Sequence, residues 1–172
     1  MSDWPESLED LSAIERASLR AFVESCAEHL TGRVLDYGCG RQPYRDVVDA
    51  ARGEYVPYNR AEFNGCAGSG NAGPNNPLAL GADTILCTQV IQYIPEPLRL
   101  LDQFRDCLEP SAGRLILTGP TCWVEPPGHL HSHTLEGVRR LLEQAGFVVD
   151  RLESRGHVGP GFSIGYGAIG RA

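Results

Sequence analysis

Lysine is absent from this chain of 172 residues, and its 15 basic residues other than histidine are all arginine. Without lysine the protein has no side chain for Schiff-base chemistry or for anchoring pyridoxal phosphate, and it has neither a P-loop lysine nor the strand lysine of protein kinases. Either a drift toward arginine codons or selection for function would produce this composition. The exclusion of those mechanisms holds whatever its origin.

Long apolar runs and cysteine pairs are also missing. No run approaches the roughly 18 apolar residues of a membrane span, and the N-terminal residues 1–6 lack the basic-then-apolar order of a signal peptide. None of the six cysteines forms a Cys-x-x-Cys pair, so reduced thiols are expected rather than disulfides. The cysteines are Cys26, Cys39, Cys66, Cys87, Cys107 and Cys122. These absences predict a soluble, cytoplasmic protein that does not enter a membrane.

The net charge of −7 and the 42% hydrophobic content bound the architecture and the partners. The length and the apolar fraction suit one domain with a single core. A negative total argues against general binding of polyanions, so nucleic acid is not an expected partner. A local patch of Arg139, Arg140, Arg151 and Arg155 leaves a narrower anionic contact open.

Hydrophobic periodicity predicts helices alternating with strands. Apolar residues spaced by three and four predict a helix over residues 12–30, which Gly32 ends. Further helices are expected over residues 43–51, 97–108 and 134–145, and strands over residues 33–37, 55–58, 84–88 and 114–118. Residues 147–152 and 162–169 suit an antiparallel pair. This order predicts a mainly parallel sheet covered on both faces, with ligands beyond the carboxyl ends of its strands.

A glycine turn follows the first predicted strand. The pair Gly38-x-Gly40 lets the backbone approach a ligand closely, and the helix after it presents unpaired N–H groups. Such a turn alone is weak evidence for nucleotide binding, because many turns use glycine.

The segments around this turn carry a family resemblance. The run Val34-Leu35-Asp36-Tyr37-Gly38-Cys39-Gly40 resembles the first motif of class I S-adenosylmethionine (SAM)-dependent methyltransferases, of the type 11 kind. Residues 83–97 resemble the fourth strand of that family and its turn. Residues 108–117 resemble the approach to the fifth strand, and residues 131–135 with 142–147 resemble the entry to the last helix and the turn after it. Four matches in the family's order are far more specific than any one of them.

The resemblance implies a Rossmann-like α/β fold, a three-layer sandwich whose mainly parallel sheet carries an antiparallel C-terminal strand. Residues 1–172 are expected to form one methyltransferase-like domain, with residues 1–32 as a helical cap and 33–172 as the core. In the family the third strand carries an acid that contacts adenine. It would fall within residues 64–77, where four glycines, four asparagines and two prolines predict a loop instead. The third strand is therefore expected to be reduced or missing, and adenine recognition stays open.

The same resemblance implies SAM as the cofactor. Residues that match Asp36, Gly38 and Gly40 hold its methionine end in the family, and carboxylates at strand ends suit its cationic sulfonium. Asn59 stands where the family has an acid for the ribose, so weaker ribose binding is expected unless Glu62 substitutes for that acid. The cofactor-binding residues expected here are Asp36, Gly38, Cys39, Gly40, Asn59, Thr88 and Gln89. Gln42 replaces the third motif glycine, and Gln92-Tyr93 replaces the usual glutamate-histidine.

Candidate catalytic residues follow from the segments nearest the acceptor. Tyr93, His131 and His133 are expected to line its pocket, together with Trp123 and Glu125. Alternate positions of His129, His131 and His133 on a strand would suit a metal. However, residues 126–128 are Pro-Pro-Gly and Thr134 already begins a helix, so no metal is expected.

Three functions compete at this point. The first is methyl transfer to a small or conjugated acceptor through a nitrogen, oxygen or carbon nucleophile. The second is a degenerate fold serving as a cofactor-sensing, binding or oligomerisation module, as Asn59 and Gln92 would allow. The third, a nicotinamide-dependent oxidoreductase, shares the glycine turn, but its short-chain members use a lysine. The acidic N-terminal helix could close over the cofactor or pack in a homodimer, and the acceptor is not specified.

Overall fold

The computed structural model describes residues 7–59, 78, 81–122, 128–159 and 162–172. In these residues the chain forms four helices, α1 (Leu8–Ser25), α2 (Arg45–Ala50), α3 (Pro97–Cys107) and α4 (Leu135–Gln144). The strands are β1 (Arg33–Tyr37), β2 (Glu54–Tyr58), β3 (Thr84–Thr88), β4 (Arg114–Pro120), β5 (Val148–Gly159) and β6 (Phe162–Arg171). Every predicted helix and strand is confirmed in type. The predicted loop over residues 64–77 lies outside the described residues.

The sheet has the strand order β2-β1-β3-β4-β6-β5. Its first four strands run parallel, and β6 lies antiparallel between β4 and β5. The mainly parallel sheet with an antiparallel C-terminal strand is thus confirmed. Within the described residues β2 forms one edge of the sheet. The prediction of a reduced or missing third strand concerns residues 64–77, which lie outside the described residues.

Two apolar clusters cover the two faces of the sheet. Because side chains alternate along a strand, Leu35, Ile85 and Leu115 pack toward α3 and α4. Val34, Leu86 and Ile116 pack toward α1 and α2 on the other face. These clusters make the three layers that the resemblance implied. Asp36 and Thr88 follow the alternation, so both face the α1 side at the carboxyl ends of β1 and β3.

Pro57 lies inside β2, although proline cannot donate a ladder hydrogen bond. The Glu54 N–H donates to Gly32 O, and Tyr58 O accepts from the Gly38 N–H. The polar groups of residues 54, 56 and 58 therefore point at β1, and those of Tyr55 and Pro57 point away. The proline is tolerated because its missing N–H would face outward from the edge.

Helix boundaries differ most at α1, which begins at Leu8 rather than Ser12 and ends at Ser25. The predicted stop at Gly32 is therefore wrong, because a separate 3₁₀ turn, Ala27–His29, follows the helix. Ser7 caps it, since its side chain accepts a hydrogen bond from Asp10 N–H at 3.1 Å. The predicted caps of α4 are confirmed, with Thr134 at its start and Gly146 after its end at φ +86°. Five of the six cysteines lie in the described residues, and all five are free thiols. None of the described helices has the length and apolarity needed to span a membrane.

Candidate functional site

A cavity of about 610 Å³ opens at the carboxyl ends of β1, β2 and β3. Four of the predicted cofactor residues line it: Gly38, Gly40, Asn59 and Gln89. Asp36, Cys39 and Thr88 are buried in the protein behind this lining. The other described lining residues are Tyr37, Tyr58, Val90, Tyr93, Ile94 and Gly128. The predicted location beyond the strand ends is therefore where the cavity lies.

The glycine turn after β1 shapes one wall. The N–H groups of Gly38 and Cys39 both donate to Tyr58 O, at 2.8 and 3.1 Å. Gly38 has φ +82°, and a Cβ there would lie 2.2 Å from Val90 Cγ2. Gly40 has φ +49°, and a Cβ there would meet nothing within 4 Å. Gly38 thus allows close packing on Val90, while Gly40 leaves open space on the ligand side.

Asp36 places a carboxyl group under this turn. The Tyr55 hydroxyl donates to Asp36 Oδ2, and Oδ1 is buried with no hydrogen-bond partner. Burial raises the pKa of Asp36 to about 7, and the hydrogen bond from Tyr55 opposes that rise. An unpartnered buried carboxylate oxygen is a receptor for a cation or an N–H donor. This observation fits the cationic cofactor implied by the sequence.

A pair of glutamines connects the β3 turn to residues 128–133. Gln89 has φ +56°, in the left-handed region that side chains seldom adopt. Its Oε1 accepts from Gln92 Nε2 at 3.0 Å, and its own Nε2 is buried without a partner. The backbone oxygen of Gln92 accepts from the N–H groups of Leu130 and His131. Gln92 therefore positions residues 130 and 131. In the sequence, Gln92 was identified only as a difference from the family motif.

Tyr93 is the predicted catalytic residue that reaches the cavity. Its side chain is 43% exposed, and its ring meets His129 edge-on with 4.7 Å between centroids. Tyr93 and Gly128 line the cavity together.

His131 and His133 form a stacked pair, with ring centroids 5.7 Å apart. The Nε2 atoms of both are buried without partners. Burial, assisted by the neighbouring His131, lowers the pKa of His133 below its usual value. Because His129 lies on Tyr93 instead, the three histidines do not share one side. In the described parts of the chain no three His, Cys, Asp or Glu side chains come together as a metal site would require.

Arg155 of β5 is buried, whereas the sequence pattern placed it in a local patch of arginines that could contact an anion. Glu62, Trp123 and Glu125 lie outside the described residues.

Comparison with known proteins agrees with this geometry. A protein-family model described as a methyltransferase domain matches residues 11–152. A search of curated proteins gives no match. Among solved structures, a SAM-dependent methyltransferase from Archaeoglobus fulgidus superimposes with a TM-score of 0.68 at 14% identity, covering 88% of this chain and 92% of that one.

Two further solved structures share the fold. Magnesium protoporphyrin IX methyltransferase from Synechocystis PCC 6803, solved with bound SAM, has a TM-score of 0.64 at 17% identity and covers 98% of this chain and 86% of its own. Mitomycin 7-O-methyltransferase has a TM-score of 0.61 at 19% identity. The superposition covers 88% of this chain but only 53% of that protein, so this chain spans about half of its length.

The family match extends over most of the chain, and the structural likeness agrees with it in fold. Neither supports the alternative of a degenerate binding module. The chain belongs to the methyltransferase domain family, and it shares its fold with solved SAM-dependent methyltransferases.

Proposed function

We propose that this protein transfers the methyl group of SAM to a small or conjugated acceptor at the carboxyl ends of β1 and β3. One observation carries the proposal. A buried carboxyl group with a free oxygen, Asp36 Oδ1, lies behind a glycine turn that opens onto a cavity of about 610 Å³. The acceptor reacts through a nitrogen, oxygen or carbon nucleophile.

The residues present suit the methionine end and the ribose of the cofactor. Asp36 would attract the positive charge of the methionine end, and the turn of Gly38, Cys39 and Gly40 would lie against it. Asn59 would accept or donate a hydrogen bond at the ribose. Thr88 and Gln89 close the site at the end of β3. When bound, the cofactor supplies a methyl group already activated by a sulfonium.

The chain's own contribution to the reaction is alignment. In-line displacement requires that the nucleophile be held close to the methyl carbon, which proximity and orientation accomplish. Tyr93 lines the cavity where the acceptor would bind. Residues 130 and 131, which donate hydrogen bonds to the backbone oxygen of Gln92, would shape the same side. Where the acceptor must lose a proton, His133 or His131 would take it at the unpartnered Nε2.

The assembly and location are part of the proposal. We propose a single domain of residues 1–172, in which residues 1–32 form the helical cap, acting in the cytoplasm. The acidic start of α1, with Glu9 and Asp10, is exposed, and a homodimer through this helix stays a prediction. Light scattering after size-exclusion chromatography measures the mass that decides between monomer and dimer.

Calorimetric titration with SAM and with S-adenosylhomocysteine tests the cofactor assignment. We expect saturable binding of both, with Asp36→Asn weakening SAM about tenfold or more because a charge is removed. Asp49→Asn is the matched control, since Asp49 is an exposed acid on α2 with a surface ion pair to Arg45. Absence of SAM binding at millimolar concentration would contradict the proposal. Conversion of SAM to S-adenosylhomocysteine in the presence of an acceptor pool then tests transfer.

A further inference from the structure

Arg155 is a buried guanidinium with an unused donor. Its side chain lies near the end of β5, opposite Gly165 of β6, and is 4% exposed. Nε donates to Tyr166 O at 3.0 Å, and Nη1 donates to Ser18 Oγ of α1 at 2.8 Å. Nη2 is buried and has no hydrogen-bond partner. Two of the three guanidinium nitrogens thus have hydrogen-bond partners within the fold, and Nη2 can still donate to a ligand.

No acid in contact neutralises this charge within the described residues, since none of their ion pairs includes Arg155. The acid with the strongest electrostatic influence on it is Glu15 of α1. Burial raises the pKa of Glu15 itself, and Arg155 only partly opposes that rise. Burying a cation without a contacting counter-charge is costly. A ligand that brings a carboxylate would remove this cost.

The free nitrogen lies at the site end of the sheet. A Cβ on Gly165 would lie 2.6 Å from Arg155 Nη2 and 3.1 Å from the backbone oxygen of Gly119, which is near the carboxyl end of β4. Arg155 also interacts electrostatically with Tyr44. Tyr44 interacts electrostatically with Asp36 and forms a hydrogen bond with Thr88. Glu15 influences both Arg155 and the cavity residue Tyr93. Arg155 and Asp36 therefore share an electrostatic neighbour, Tyr44.

We infer that Arg155 Nη2 binds a carboxylate of a ligand held at this site. The identity of that ligand rests on the proposed function. The carboxylate belongs to the amino-acid end of the cofactor or to the methyl acceptor, and the chemistry recognised is the same. A singly charged carboxylate fits better than a phosphate, because Glu15, which interacts electrostatically with Arg155, would repel a second negative charge. If the acceptor supplies it, the substrates of this enzyme are carboxylic acids.

Arg151 provides a matched control on the same strand. It also reaches α1, donating to Ser25 Oγ at 2.9 Å, but its charge is already paired with Glu153 at 2.8 Å. Arg151→Gln and Arg155→Gln each remove one arginine that ties α1 to β5. Only Arg155→Gln removes an unpaired nitrogen.

The experiment compares ligands that differ in the carboxylate alone. S-adenosylhomocysteine is titrated against 5′-methylthioadenosine, which lacks the amino-acid end, and benzoate against benzamide on cofactor-saturated protein. We expect Arg155→Gln to weaken S-adenosylhomocysteine at least tenfold with methylthioadenosine unchanged, or to abolish a preference for benzoate over benzamide. Arg155→Lys, which keeps the charge and loses the fork, should recover part of either effect. Arg151→Gln should match the wild type.

A purely structural role gives a different result. In that case Arg155→Gln lowers the melting temperature, and both ligand ratios keep their wild-type values in Arg155→Gln and Arg155→Lys, which overturns the inference. If Arg155→Gln does not fold, Arg155→Lys carries the same comparison. Failure of the proposed function is distinguishable, because the wild type would then bind neither adenosine compound. The benzoate comparison on ligand-free protein still tests Arg155.

Discussion

At the scale of single residues, the buried carboxyl group of Asp36 links cofactor binding to pH. Its pKa is about 7 in the folded protein, so a large part is neutral near pH 7. A cation binds the ionised form, and we therefore expect SAM affinity to rise from about pH 6 to about pH 8. Calorimetry across this range measures the change. Asp36→Asn should show a flat profile, and an unchanged slope in that variant would contradict the assignment to Asp36.

The same shift has the opposite sign for stability without ligand. Asp36 has a higher pKa folded than unfolded, so its contribution to stability is complete below the unfolded value of about 3.9 and is lost as pH rises through about 7. The Tyr55 hydroxyl donates a hydrogen bond to Asp36. Tyr44 interacts electrostatically with Asp36, and burial raises the pKa of Tyr44 above its usual value. Affinity for SAM and ligand-free stability thus change in opposite directions with pH.

Gly38 offers a second prediction at residue scale. In Gly38→Ala the new Cβ meets Val90 Cγ2 at 2.2 Å and the backbone holds φ +82°. We expect a loss of stability of about 2 kcal/mol or more and weaker SAM binding, because Val90 and the turn must separate. The double variant Gly38→Ala with Val90→Ala should recover the steric part and leave the backbone strain. Denaturant unfolding measures the free energies, and equal losses in the single and double variants would contradict a contact with Val90.

Sequence patterns predicted the site residues that lie close together in the chain. Asp36, Gly38 and Gly40 occur within five positions of one another, so a short motif contains their geometry. Arg155 depends on Ser18, 137 positions away, and the positive φ of Gln89 follows from packing between strands. No local pattern marks either one.

At the scale of elements, α1 is joined to the sheet by both apolar and polar contacts. Phe22 is 3% exposed, and its ring lies against Gly167 of β6, where a Cβ would come within 2.5 Å. Arg151 covers the other part of the ring, with its guanidinium 5.1 Å from the centroid. This packing holds Glu15 and Ser18 near Arg155.

Phe22→Ala should therefore weaken the docking of α1. We expect a loss of about 3–5 kcal/mol in the free energy of unfolding, typical of a large side chain removed from a core. Arg16→Ala, on the exposed side of the same helix, should change it by less than about 0.5 kcal/mol. Urea denaturation followed by circular dichroism measures both. Similar losses in the two variants would indicate that the fold does not depend on the Phe22 contact.

Element type was predictable here because apolar spacing and capping residues agree. The length of each element was less predictable from the sequence. Ser7 and Asp10 are a capping pair visible in the sequence, and they place the start of α1 ahead of the first strongly apolar turn. The extension of β5 to Gly159 comes from pairing with β6, which no property of residues 153–159 alone indicates.

At the scale of the whole molecule, unsatisfied polar atoms collect at one end. Among the described residues, the buried side-chain atoms without partners belong to Asp36, Gln89, Gln92, His131, His133, Arg155 and Tyr166. All lie toward the carboxyl end of the parallel strands, whereas the amino end has none among these residues. Natural proteins keep such atoms where a ligand completes them. The ligand-free protein is therefore expected to open most readily at this end.

Hydrogen exchange tests that expectation across the chain. With S-adenosylhomocysteine at about 100 times its dissociation constant, binding adds about 2.7 kcal/mol to stability. We expect added protection chiefly in peptides covering residues 36–44, 88–94 and 128–134, which contain the turns at the strand ends. Peptides over residues 108–115, at the amino end of β4, should change only as global stability changes. Uniform protection, or protection greatest over residues 108–115, would show that the ligand does not complete the polar end of the sheet.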